Sequence, residues 1–271
     1  MKQQKATENH YFPFQPEIQS TTDFYREAKK IKDHVNKDVA LFYQFNTNKH
    51  SVDSLSLVPD GCFDILFCCE SVFPSAILWT SPSQRRKQPN LLPGCEYFGV
   101  RFYPEQSALK LESPMKDLVD QQIPLLDVLK CDSSIIEQIG TSGSFTDRIQ
   151  LFESFLNQNQ QEAGFDQRII DYAMEKIYLT KGTINIGELS RDIGYTEQYV
   201  RRKFEEYIGF SPKQFCQIVK FQNSLHRILT YDGTTLLDAI HESGYYDQPS
   251  FIKGFKKFAN FTPKQYREYL N

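Results

Sequence analysis

The residues in this chain whose types and spacing could do chemistry are its cysteines, its histidines and a cluster of arginines and glutamines. The six cysteines, at 62, 68, 69, 95, 131 and 216, include no Cys-x-x-Cys pair, and the five histidines, at 10, 34, 50, 226 and 241, fall in no His-x-x-x-His or similar spacing. Closed zinc sites are usually announced by such short spacings, so no metal and no cofactor is expected, and the cysteines read as reduced and mostly buried. No Ser/His/Asp or Cys/His arrangement marks a nucleophile. A different chemistry is legible at Glu197, Gln198, Arg201, Arg202 and Glu205, which share one face of a helix opposite Tyr199, Val200 and Phe204. Long polar side chains near the start of such a helix can enter the major groove of DNA. There arginine suits guanine bidentately and glutamine suits adenine.

The elements that must hold this face occur twice. Residues 186–195 align with 236–245 at an offset of 50, and residues 196–215 align with 247–266 at an offset of 51. Phe204 then meets Phe255, Phe210 meets Phe261, Pro212 meets Pro263, and Lys213-Gln214 meets Lys264-Gln265. Each copy predicts a short helix (186–193; 236–242), a glycine turn (Gly194; Gly244) and a second helix (196–208; 247–259). In the second copy Ser250, Phe251 and Phe255 are expected to hold that helix down. Ser211-Pro212 and Thr262-Pro263 each supply a cap and a first-turn proline for the next helix. This is the grammar of two helix-turn-helix units. The 18 residues of 212–229 can join them as one helix, about 27 Å long at roughly 1.5 Å per residue.

The rest of the 271 residues follows from composition. Hydrophobic residues make up 40% and aromatic residues 14%, which is ample for packed cores, and the net charge is −3. Residues 1–164 hold 16 Lys and Arg against 21 Asp and Glu, while 165–271 hold 15 against 13, so the C-terminal part is the mildly basic one. The longest apolar run is five residues, 65–69, where a spanning helix needs about 20. Residues 1–10 lack an apolar secretory core, so a cytoplasmic protein without membrane contact is expected. NQNQQEAG (157–164) reads as a linker. Before it, the aromatic and β-branched runs 41–45, 54–58, 62–69, 76–80 and 97–103, punctuated by Pro59-Asp60-Gly61, Pro82 and Pro93-Gly94, predict antiparallel strands. Phe145, Ile149, Phe152 and Leu156 make one helix stripe, which serves either as packing on the sheet or as a dimer seam. After the linker Asp166 is placed as the cap of a helix running to about residue 180, which ends at Lys181-Gly182. Further turns are expected at Gly209, Asp232-Gly233 and Asn260.

At this point the motifs resemble those of a known family. GYYDQPSFIKGFKKFANFTPKQYR (244–267) is similar to the C-terminal signature of the AraC/XylS transcription regulators, and GYTEQYVRRKF (194–204) with GFSP (209–212) is similar to that family's first helix-turn-helix. The resemblance covers about residues 166–271. It implies an all-α, seven-helix DNA-binding domain, with base contacts from Gln198, Arg201 and Arg202 in one copy and Gln248, Ser250, Ile252 and Lys253 in the other, and Thr196 near a phosphate. Lys253 stands where the family usually has arginine, Asn260 where it has glycine, and Glu205-Glu206 where lysines are common.

VPDGCFDIL (58–66) and GVRFYP (99–104) are similar to stretches of an uncharacterised sensor domain that precedes such helix-turn-helix pairs. The resemblance implies a cupin-like β barrel or sandwich that binds an effector or dimerises. Asp60, Asp64 and Arg101 are its candidate effector contacts, against the plainer reading of a turn aspartate and an internal ion pair. The fold expected is therefore α+β: an antiparallel β domain with helices over residues 1–156, a linker over 157–164, and the double helix-turn-helix domain over 165–271. The function expected is sequence-specific DNA binding and transcription regulation, not catalysis. Double-stranded DNA is the partner, with RNA polymerase, a small-molecule effector and a second copy of the chain as further candidates. Two alternatives stay open: a protein-binding module that has lost DNA binding, supported by Glu205-Glu206, and a cupin-like enzyme fused to a DNA-binding tail. His34 and His50 do not supply a metal cupin's ligands, and Cys62, Cys68 and Cys69 only loosely resemble the metal-bound cysteines of methyl-transfer repair proteins.

Overall fold

The computed structural model describes residues 11–30, 38–48, 55–70, 72–87, 91–159, 164–230, 240 and 243–270. In the N-terminal part the strands β1 (Asp23–Lys29), β2 (Val39–Asn46), β3 (Ser56–Leu57), β4 (Phe63–Cys68), β5 (Ser75–Thr80), β6 (Arg86–Lys87), β7 (Glu96–Phe102) and β8 (Gln122–Pro124) are all antiparallel. Six form one sheet in the order β1-β2-β7-β4-β5-β8, and β3 pairs with β6 in a small second ladder. The six-stranded sheet has two edges, β1 and β8, so it is open, in the manner of a sandwich and not of a closed barrel.

Period-two alternation gives this sheet two apolar faces. Phe42, Phe67, Phe98, Val100 and Phe102 lie on one, and Leu41, Tyr43, Phe45, Leu66, Trp79 and Tyr97 on the other. The first face is covered by helices α3 (Ser134–Thr141) and α4 (Phe145–Asn159), which follow helices α1 (Pro16–Thr21) and α2 (Leu125–Val128) in the chain. The Phe152 ring lies 5.9–6.2 Å from Phe42, Phe67 and Phe102. The stripe at Phe145, Ile149, Phe152 and Leu156 packs on the sheet, with Phe152 and Leu156 buried and Phe145 and Ile149 half-buried. Helix α4 also runs three residues into the expected linker, and residues 160–163 lie outside the described ones.

The C-terminal part is helical: α5 (Phe165–Leu179), α6 (Ile186–Ile193), α7 (Glu197–Tyr207), α8 (Pro212–Thr230), α9 (Gln248–Ala259) and α10 (Pro263–Leu270). The expected helix 236–242 and turn 232–233 fall largely outside the described residues, as do His34 and His50. The cap assigned to Asp166 is corrected. Gly164 is the N-cap of α5, and Asp166, the second residue of the helix, accepts from Tyr199 Oη at 2.9 Å and pairs with Lys203 at 2.7 Å. No helix among the described residues is long and apolar enough to cross a membrane.

The two parts share a core. Residues 11–21, which no periodicity singled out, run between them. The Tyr11 ring stacks on Tyr178 at 4.7 Å, and its hydroxyl donates to the Asp60 carbonyl at 2.6 Å. Phe14 N donates to Gln222 Oε1 at 2.9 Å, while Gln222 Nε2 donates to the Pro59 carbonyl at 2.7 Å. Glu17 is held by both arms of Arg85, at 2.8 Å each, and by the hydroxyl of Tyr266 at 2.8 Å. The main chain of Arg85 donates to the Phe258 carbonyl at 2.7 Å and accepts from Asn260 Nδ2 at 3.0 Å.

Candidate nucleic-acid interface

The first unit is built as its sequence dictates. The Asn185 side chain accepts from the backbone N–H groups of Gly187 and Glu188, satisfying donors that the first turn of α6 leaves open. Gly194 ends the helix at φ 81°, a left-handed conformation that costs a side-chain-bearing residue. Thr196 then caps α7 by accepting from Tyr199 N at 3.3 Å. Leu189, Val200 and Phe204 are fully buried and fix the angle between the two helices. Thr196, Gln198, Arg201 and Arg202 are all exposed on the outer side.

The second unit repeats these devices. Asp247 caps α9 by accepting from Ser250 N at 2.8 Å, which lowers the pKa of its carboxyl. The helix ends in left-handed Asn260 at φ 60°. Asparagine tolerates that conformation, and its amide makes the bond to Arg85 that a glycine could not. Phe251 and Phe255 are buried as expected, but Ser250 is exposed and holds nothing down. Gln248, Ser250 and Lys253 face outward, with Ile252 half-buried between them. Between the units, α8 is 19 residues long, or about 28 Å. Ser211 and Gln214 at its start, and Thr262 and Gln265 at the start of α10, form reciprocal capping boxes.

Charge on the first recognition helix is more structured than its sequence suggested. Arg201 Nε is tied to Glu205 at 2.8 Å, one turn along an exposed surface. Lys203 is shared between Asp166 at 2.7 Å and Glu206 at 2.9 Å, and the hydrogen bond from Lys203 lowers the pKa of Asp166. Arg202 makes no ion pair among the described residues; it stacks over the Tyr199 ring at 5.2 Å. It also stands on the wall of a cleft of about 680 Å³ between α7 and the loop 106–116, with Leu109, Lys110, Met115, Lys116 and Tyr207.

The three candidate effector residues are brought together and are closed on themselves. Asp64 and Arg101 are register partners across β4 and β7, joined by two bonds of 2.8 and 2.7 Å. Tyr43 lies opposite Gly99, and a Cβ there would sit 2.2 Å from the ring. That absence lets the Tyr43 hydroxyl reach Asp64 at 2.7 Å. Asp60 accepts from Gln15 Nε2 and Cys62 N at 2.9 Å each and stands 3.7 Å from Arg101. Burial pushes its carboxyl pKa upward, and Arg101 pulls the other way. All three side chains are buried, and the adjoining cavity holds only about 70 Å³.

An open antiparallel β domain is thus joined to a helical part that carries one helix-turn-helix, α6 and α7, and the glycine turn and second helix, α9, of its repeat. A helix-turn-helix domain model matches residues 189–269, and a model of a domain of unknown function (DUF6597) matches residues 32–124. Uncharacterized HTH-type transcriptional regulators from two strains of Staphylococcus aureus, MSSA476 and MRSA252, are each 32% identical over 84 residues, covering 31% of this chain and 11% of the relative. The lactose operon transcription activator of Staphylococcus xylosus is 22% identical over 88 residues, 32% of this chain and 31% of the relative. The match thus spans about a tenth of the length of the Staphylococcus aureus relatives. Among solved structures, ToxT from Vibrio cholerae O395 bound to (E)-4-(8-methylnaphthalen-1-yl)but-3-enoic acid is 12% identical, with a TM-score of 0.44 over 92% of this chain and 98% of that one. Residues 189–269 form an AraC-type helix-turn-helix domain.

Proposed function

We propose that this chain is a sequence-specific transcription regulator whose two recognition helices, α7 and α9, enter adjacent major-groove segments of one duplex. The observation that carries the reading is the matched presentation of the two helices. Each is capped at the equivalent residue, Thr196 or Asp247, and each shows exposed long polar side chains in its first two turns. In this reading Gln198, Arg201, Arg202 and Gln248 contact base edges. Ser250 and Ile252 complete the second reading surface, Thr196 meets a phosphate, and Lys253 acts as a point charge.

The residues before the linker regulate and those after it read. Effector control is assigned to the cleft beside Arg202, because a ligand there would touch a base-reading side chain directly, whereas Asp60, Asp64 and Arg101 are already saturated. Glu205 and Glu206 argue against the protein-binding alternative, since Arg201 and Lys203 on the same helix answer both carboxylates. Activation is the sign of regulation suggested by the Staphylococcus xylosus relative, a transcription activator by name, and RNA polymerase is the partner that sign would call for.

Selection of the full-length protein on a random duplex pool at near-physiological salt tests the proposal. Enrichment of two short blocks with centres about one helical turn apart supports it. Failure to enrich, from the intact chain and from residues 165–271 alike, overturns it.

A further inference from the structure

Strands β4 and β7 pair so that Cys68 lies opposite Tyr97. That register brings the end of β4 against the turn that precedes β7, and with it two cysteines 27 positions apart in the chain. The thiols of Cys68 and Cys95 and a carboxylate oxygen of Glu70 all lie within 4.8 Å of one another. Cys68 is buried, while Cys95 and Glu70 are half-buried, so the group has a closed floor and an open mouth. The Cys95 thiol also donates to the Pro93 carbonyl at 3.9 Å; Cys69, which follows Cys68 directly, donates its thiol to the Phe67 carbonyl at 3.8 Å and lies outside the cluster.

The turn that carries Cys95 is held firmly. Cys95 N donates to Thr47 Oγ1 at 3.1 Å, Thr47 N donates to the Cys95 carbonyl at 2.9 Å, and Gly94 N donates to the Thr47 carbonyl at 2.9 Å. Thr47 Oγ1 donates in turn to the Leu92 carbonyl at 2.6 Å. Cys95 is thus presented to Cys68 by a fixed backbone, at the junction of β2, β4 and β7.

Two thiolates select soft ions and disfavour magnesium and calcium, which take oxygen ligands. A carboxylate completes a three-ligand set of the kind that leaves a fourth tetrahedral position open on zinc. We infer that Cys68, Cys95 and Glu70 form a binding site for a thiophilic divalent cation of the zinc class, with one coordination position free for water or an outside ligand. Loading the site would cross-link the ends of β4 and β7, and β2 through Thr47. This gives the β domain a metal-responsive element separate from the cleft beside Arg202.

The test uses the full-length protein, reduced and then freed of reductant, titrated with Co²⁺ and then with Zn²⁺ alone. One equivalent of Co²⁺ should bind with thiolate-to-metal charge-transfer absorption, and Zn²⁺ should displace it and protect two thiols from alkylation. Cys95→Ser should lose the band, Glu70→Gln should weaken binding, and Cys131→Ser should leave it unchanged, with far-ultraviolet circular dichroism confirming that each variant is folded. The inference is overturned if the reduced protein takes up no ion or if Cys95→Ser binds as well as the parent. It is equally overturned if the two thiols are found only as a disulfide whose reduction yields no metal binding.

Discussion

Phe215 and Tyr266 hold the same position in the two helix-turn-helix repeats, and one segment of the N-terminal part touches both. The Tyr11 ring lies edge-on to Phe215 at 6.3 Å, and the Tyr266 hydroxyl donates to Glu17 at 2.8 Å. Residues 11–21 therefore bridge the two reading units at equivalent points, one through an aromatic contact and one through a buried carboxylate. Gln222, midway along α8, is tied to Phe14 and Pro59 between them. Helix α8 and both units are thereby anchored to the β domain, so a change in that domain has a direct physical path to α7 and α9.

The charge pattern on α7 separates its two arginines. Arg202→Ala should cost about 1–3 kcal/mol on the selected site, as expected for loss of a bidentate base contact, and less on random duplex. Equal losses on both would demote Arg202 to a backbone contact. Glu205→Gln releases Arg201 from its partner, so it should tighten binding and steepen the logarithmic salt dependence by roughly one. Fluorescence anisotropy across a salt series reads both effects.

Glu17 is only 1% exposed, and it takes two bonds from Arg85, whose side chain is 13% exposed. Glu17→Gln keeps the shape but leaves that guanidinium without its carboxylate, a loss of roughly 3–5 kcal/mol for buried pairs. Thermal unfolding should show a lowered Tm, and α10 should gain hydrogen exchange first. An unchanged Tm would mean that the bridge to the second unit carries no stability.

Arg101 makes two hydrogen bonds to buried Asp64 and stands 3.7 Å from buried Asp60. Arg101→Met should therefore destabilise the β domain by about 3–5 kcal/mol, measured by urea unfolding. Asp60→Asn should cost less, because Asp60 stands farther from the guanidinium than Asp64 and burial already favours its protonated form. A larger loss from Asp60→Asn than from Arg101→Met would contradict this account of the cluster.

His226 packs edge-on against Phe14 at 5.6 Å, and its pKa is pushed down by burial first, then by Lys29 and Arg227. The folded chain then binds its proton less readily than the unfolded chain, whose histidine titrates near about 6.5. The stability associated with His226 is complete above that pH and is lost as the pH falls below it and through the lower pKa of the folded chain. His226→Gln should flatten the fall in Tm between about pH 7.5 and 5.5 relative to the parent chain. Parallel curves for the two proteins would exclude the effect.

The reading units were legible because their signals are local. Helix starts at 196 and 247, which the structure shows to be the caps Thr196 and Asp247, turns at Gly194 and Gly244, and two Ser/Thr-Pro-Lys-Gln boxes each act within four residues, and the repeat doubles every one of them. The longer strands announced themselves as aromatic and β-branched runs between Pro and Gly turns, whereas β1 is polar and exposed, and β6 and β8 have two and three residues. Pairings set by tertiary register left no local trace. The Cys68–Cys95 contact, the Glu17–Arg85 pair and the move of Asp166 from cap to partner of Lys203 all depend on how elements meet. The aromatic run at Tyr11, Phe12 and Phe14 was the one visible sign of the bridging segment. Nothing in its spacing pointed to a partner, and only Tyr11 of the three is buried.

The central claim is that two recognition helices, held at a fixed spacing by α8 and the segment 11–21, read one face of a duplex together. The direct measurement is the affinity of the full-length protein for its selected site against the same site with about five base pairs, half a helical turn, inserted between the two blocks. The account predicts that the insertion reduces binding to the level of a site that keeps one block alone, and that a full-turn insertion does not restore it because the spacing helix cannot lengthen. Undiminished affinity for the half-turn insertion would contradict the claim.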